Sequence, residues 1–213
     1  MKSFFLALGI IFFHFEPQAY SQVSNASWQC QEPQWAKDPE MFEGIFRARI
    51  RTECQVFSQK PEAISWLFQK LQNEFQRKEK YQIHEGPLRS QEGLFTHLQY
   101  DLTDRLSEED SDLAIRQNVY LKTDEKNILD YLTQSKEIQA SGTASYLKQV
   151  SFLTEVIAKK DFYLVKLENE VEIERPWFAL SFLFKPMSAS ITKDKFEKAR
   201  DKLMQYLLAE KSL

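Results

Sequence analysis

Period-two alternation dominates the second half of the chain. In the run Phe162–Ile173 one parity reads Tyr163, Val165, Leu167, Val171 and Ile173, and the other Lys166, Glu168, Glu170 and Glu172. Alternation of this kind is a strand with one face buried and one in water. The flanking runs Tyr146–Ala158 and Trp177–Phe184 also read as strands. The even residues of the latter, Phe178, Leu180, Phe182 and Phe184, are all large and apolar. Pro186 to Ser190 ends that run, and Thr192 suits a helix N-cap. Beyond it, Phe196, Ala199, Leu203 and Leu207 recur at helical spacing, with Met204 and Leu208 beside them. A one-faced antiparallel sheet needs a cover, and this C-terminal helix is the nearest candidate.

The same reading extends upstream. Phe46–Phe57 sets Phe46, Ala48, Ile50, Cys54 and Val56 against Arg47, Arg49, Arg51 and Glu53. A helix follows from about Pro61 to Lys80, with Ile64, Leu67, Phe68, Leu71 and Phe75 on one face. Trp66 falls opposite, either against the N-terminal segment or as a partner contact. Strands are expected at Leu94–Leu102, Leu113–Lys122 and Ile128–Thr133. Tyr81–Gly93 and Ser135–Ala144 read as irregular. Asp104–Asp112 reads as an acidic, solvated loop without the ligand spacing of an EF-hand. Residues 22–44, with Pro33 and Pro39, read as an extended N-terminal segment. The expected architecture is an α+β domain over residues 45–213. It has a seven-stranded antiparallel curved sheet, one helix after the first strand, and a long C-terminal helix gripped by the sheet.

This order of elements, over Ile45–Ala209, resembles the helix-grip topology of the START-like superfamily, which includes Bet v 1-like and polyketide-cyclase-like domains. The resemblance implies a sheet wrapped around the last helix, an apolar cavity between them, and a lipid-like or aromatic small molecule as ligand. It also implies that the first strand pairs with the seventh. With Trp177–Phe184 as the seventh, the arginines of the first strand and the glutamates of the sixth would lie two ladder spacings apart, roughly 10 Å. No catalytic residue is carried over by the resemblance.

Composition narrows the function classes. The net charge of −3 gives no electrostatic reason to expect nucleic acid, and five glycines argue against Gly-rich phosphate loops. Residues 1–21 read as a secretory signal: Lys2, an apolar run from Phe4 to Phe13, and small residues at Ala19 and Ser21 ahead of the cleavage point. The mature chain then starts near Gln22, secreted or periplasmic, with no transmembrane span. Export favours a Cys30–Cys54 disulfide over two free thiols. Asn25-Ala26-Ser27 fits a glycosylation sequon, which matters only in a eukaryotic secretory pathway.

Chemistry-bearing motifs are scarce. His84 and His97 lie outside the signal and read as surface residues, and two bonded cysteines leave zinc poorly supplied. No nucleophile elbow, Walker loop or dinucleotide fingerprint is present. No cofactor, metal site or catalytic set is therefore assigned. The arginine stripe reads as a solvated face or an anion site. The informative positions are polar residues on apolar faces: Thr52, Thr96, Gln117, Thr154 and Asn169. Such groups either form internal hydrogen bonds or orient a mostly apolar ligand. Of these, Thr96, Gln117, Thr154 and Asn169, with Phe178, Phe182, Phe196, Ala199, Leu203 and Leu207, make the candidate ligand site. The expected function is an exported, non-catalytic domain binding a hydrophobic small molecule or lipid between sheet and helix. The alternative is a protein-interaction or inhibitor module with a filled core.

Overall fold

In a computed structural model, the structure describes residues 27–57, 62–77, 80–108 and 111–208. The signal segment, Asn25 and the expected helix start at Pro61 lie outside these residues. The elements run β1 (Ser27–Cys30), β2 (Gln34–Phe42), β3 (Ile45–Phe57), α1 (Ala63–Phe75), β4 (Tyr81–Glu92), β5 (Phe95–Glu108), β6 (Ser111–Thr123), β7 (Ile128–Ala140), a short 3-10 turn, β8 (Leu147–Ala158), β9 (Tyr163–Glu174) and α2 (Ser181–Leu208).

Among the described residues the sheet has nine strands rather than seven, all pairings antiparallel, in the order β1-β3-β9-β8-β7-β6-β5-β4, with β2 also on β3. Counted from β3, the first strand pairs with the seventh and the long helix follows. This is the helix-grip topology that the element order suggests. Several assignments change. Residues 135–140 belong to β7 rather than to an irregular segment, and residues 104–108 to β5 rather than to a loop. Residues 27–42 form β1 and β2 along the free edge of β3, where prolines are tolerated because an edge strand leaves N–H positions unpaired. Tyr81–Glu92 is an edge strand rather than an irregular segment. Trp177–Phe184 is not a strand: the helix begins at Ser181 and runs through Pro186.

The seventh strand is therefore Tyr163–Glu174, which pairs directly with β3. Arg47 lies opposite Glu172, and its Nε donates to a carboxylate oxygen at 2.7 Å; Arg49 bonds Glu168 at 2.8 Å. The expected 10 Å separation is thus wrong. The arginine stripe is a solvated face whose Arg47 and Arg49 are neutralised across the ladder. Exposed pairs of this kind contribute at most about 1 kcal/mol each. Their larger effect is on register, because a one-residue slip would turn this face into the core.

Both helices cover the other face. Ile64, Leu67, Phe68, Leu71 and Phe75 of α1 are all buried, as are Phe196, Ala199, Leu203, Met204, Leu207 and Leu208 of α2. Fully burying one such side chain contributes about 1.5–3 kcal/mol. Trp28, Trp35 and Trp66 pack partly buried against this core. Cys30 and Cys54 are bonded and are register partners across β1 and β3, so the disulfide pins the N-terminal strand to the sheet. No helix among the described residues is long and apolar enough to cross a membrane.

Candidate functional site

The apolar interface between sheet and helices falls into two clusters. One gathers α1 and the C-terminal half of α2 around Ile50, Val119, Tyr131, Phe152 and Leu167. The other gathers Phe184 around Ala48, Ile115, Val150 and Val171. On some strands the boundary falls on polar residues, whereas on β3 and β8 apolar residues of the two clusters follow directly, Ala48 before Ile50 and Val150 before Phe152. On β9, Asn169 separates Leu167 from Val171. On β6, Gln117 separates Ile115 from Val119. On β7, Thr133 and Ser135 lie between Tyr131 and Ile138.

The helix repeats the pattern. Phe184, Ser188, Thr192 and Phe196 follow at intervals of four and are all buried, so they share one stripe. Phe184 belongs to one cluster and Phe196 to the other. Ser188 and Thr192 therefore stand on the helix between the residues that belong to the two clusters. Thr192 is an interior helical residue, not the N-cap, because the helix starts eleven residues earlier at Ser181.

Several groups at this break lack partners. Asn169 Nδ2 donates to the Ser151 carbonyl at 2.8 Å, which fixes the amide orientation and leaves Oδ1 without a donor. That oxygen, Ser188 Oγ and Thr192 Oγ1 are buried without a hydrogen bond. Thr154 Oγ1, two residues along β8 from Phe152, the register partner of Asn169, is in the same condition. Ser135 Oγ is used, accepting from the Val150 N–H at 3.0 Å. Thr52, also singled out by its parity, is likewise satisfied, donating to the Gln31 carbonyl at 2.7 Å.

Of the residues expected to form the site, Thr154, Asn169, Phe196, Ala199, Leu203 and Leu207 are buried on the sheet–helix interface, and Thr96 and Gln117 are half-buried on the same sheet face. The helix residues meet the sheet: Phe196, Ala199, Leu203 and Leu207 share one cluster with Val119 and Leu167. Phe178 and Phe182 do not join them. They are 62% and 70% exposed. Without the expected strand, their even parity no longer points to a core. The sequence hides Ser188 and Thr192, because Pro186–Ser190 reads as a linker and Thr192 as a cap.

The opposite face of the sheet is not flat. A groove of about 960 Å³ crosses all seven strands from β3 to β4 and is bounded at one end by Gln31, Glu32 and Gln34. The pattern predicts a polar face there, not a concave one. Asp104, expected in a loop, sits inside β5 on the helix side with Oδ1 buried and unpartnered. Burial pushes its carboxyl up to about 6, against the opposing pull of Lys80. On the outer face Asp101 goes the other way. Hydrogen bonds from Arg116 at 2.8 Å and Lys136 at 2.9 Å hold it down to about 2.

No protein-family model matches the sequence, and no curated protein matches it either. Solved structures similar to the chain include a Thermus thermophilus protein (14% identity, covering 76% of this chain and 97% of that one, TM-score 0.41). Others are the STAR-related lipid transfer protein from Xanthomonas axonopodis (10%, 82% and 99%, TM-score 0.40) and human STARD10 (9%, 83% and 73%, TM-score 0.39). Nothing about the site follows from these likenesses.

Proposed function

We propose that the chain is an exported, non-catalytic binding domain that holds a hydrophobic small molecule or lipid between the sheet and the C-terminal helix. The observation that carries this reading is the polar break in an otherwise apolar interface. A buried oxygen without a partner costs about 1–3 kcal/mol, and Thr154, Asn169, Ser188 and Thr192 each keep one. A pocket for a mostly apolar ligand uses a few such groups to set its orientation. In this reading Asn169, Gln117, Thr154 and Thr96 orient the ligand from the sheet. Phe196 bounds it toward the helix C-terminus, where Ala199, Leu203 and Leu207 pack on the sheet and close the site. The Cys30–Cys54 disulfide supports export, because such bonds persist in oxidising compartments.

A protein-interaction module is the second reading. It is favoured by Trp177, Phe178, Leu180, Phe182 and Leu183, all more than half exposed where α2 begins. Native mass spectrometry of the protein purified from its own host separates the two. The ligand reading expects a co-purifying lipid-sized mass that Asn169→Leu and Thr192→Val diminish. A ligand-free mass in every preparation overturns it.

A further inference from the structure

The groove on the sheet face away from the helices has a chemistry of its own. One register row across its floor runs His97, Lys122, Asp130, Glu155 and Lys166, one residue from each of β5 to β9. The charges in this row are not all used. Lys166 Nζ bonds Glu155 at 2.7 Å. The Lys122 ammonium sits 4.6 Å from the centroid of the Phe95 ring. Asp130, between Lys122 and Glu155, has no hydrogen bond at its buried Oδ1 and no ion pair among the described residues. Its carboxyl is pushed up, first by burial and then by Glu155. The next row on the same face is apolar at its centre: Tyr120, Leu132 and Leu153 stand side by side on β6, β7 and β8. Each of them lines the groove.

We infer that this groove is a second binding site, for a small organic ammonium ion carrying an apolar or aromatic group. The ammonium pairs with the Asp130 carboxylate, and the apolar body lies along Tyr120, Leu132 and Leu153. Three features select this class. A carboxylate in a partly desolvated row without a bonded counter-charge attracts a cation and repels an anion. The partly exposed Tyr120 ring offers a further face to a cation. The volume, about 960 Å³, falls in the range of small-molecule clefts. At the floor itself both lysines are engaged, Lys166 by Glu155 and Lys122 by the Phe95 ring, whereas Arg51 and Arg89 line the groove only at its two ends, on β3 and β4.

The test uses the full mature chain and three probes with similar bodies: phenethylamine, 3-phenylpropionate and 3-phenylpropanol. Binding is read by NMR shifts of the Leu132 and Leu153 methyls and the His97 imidazole. The inference expects saturable shifts with phenethylamine, with the other two at least about tenfold weaker, a difference of about 1.4 kcal/mol or more. Asp130→Asn weakens phenethylamine binding about tenfold, whereas Thr192→Val, on the other face, leaves it unchanged. Lys122→Ala, which removes the cation beside Asp130, strengthens it, and this arm decides the matter if Asp130→Asn does not fold. Equal or tighter binding of phenylpropionate overturns the inference. So does an Asp130→Asn variant that binds as the parent does, or a Lys122→Ala variant that binds no better.

Discussion

Replacing Thr192 by Val isolates the polar break with one change of shape-conserving chemistry. Thr192 is fully buried, and its Oγ1 has no hydrogen bond. A hydroxyl in that state costs about 1–3 kcal/mol. The methyl group that replaces it adds about 0.8 kcal/mol of apolar burial. Thr and Val differ little in helix propensity, so the backbone contributes almost nothing. The ligand-free Val variant is therefore expected to gain about 2–4 kcal/mol. For a chain of this size that is a rise of about 4–16 °C in Tm. The assay is urea unfolding of delipidated protein followed by tryptophan fluorescence, with the slope compared between variants. The same variant retains less ligand, so stability and binding move in opposite directions. A loss of about 1 kcal/mol or more would refute the reasoning. It would mean that the hydroxyl bonds the Ser188 carbonyl one turn back, as mid-helix threonines can.

Two further outcomes follow from the fold. Reducing the Cys30–Cys54 bond, whose partners are 24 residues apart, removes about 3.5 kcal/mol of chain-entropy stabilisation. Scanning calorimetry with and without a phosphine reductant should show Tm lowered by about 7–14 °C; an unchanged Tm would mean that β1 frays independently of the sheet. For Asp104 the folded carboxyl, near 6, lies above its ordinary value of 3.8. The native state thus binds the extra proton, so its stability contribution is full below about pH 4 and is lost as pH rises through 6. Asp104→Asn should narrow that loss, stabilising the protein more at pH 7.5 than at pH 5 by about 1.4 kcal/mol, since roughly half of the full effect is already lost at pH 5; a larger gain at pH 5 contradicts the assignment.

Period-two patterning makes β3, β5, β6, β8 and β9 legible, because each has one buried and one wet face. It fails where that asymmetry is missing. In β4 every residue from Gln82 to Ser90 is exposed, so no alternation marks the strand. In Trp177–Phe184 the alternation exists, but of its four even residues only Phe184 is buried, and Pro186 reads as a stop although the helix passes through it. These two errors offset each other in the strand count while misplacing the seventh strand, which the direct Arg47–Glu172 pair exposes. At the site, Asn169, Gln117 and Thr154 stand out as polar residues of apolar parity. Ser188 and Thr192 are hidden by the misplaced helix start. The outer groove has no sequence signal, because outward parity marks a face and carries no information about its curvature.

The most direct measurement is an isotope-filtered NOE experiment on methyl-labelled protein loaded with 1-dodecanol as a defined amphiphilic probe. The account predicts contacts from the alkyl chain to the Thr154 and Thr192 methyls and to Val171, on the helix side of the sheet. Contacts confined to Leu132 and Leu153, or no bound probe at all, would contradict it.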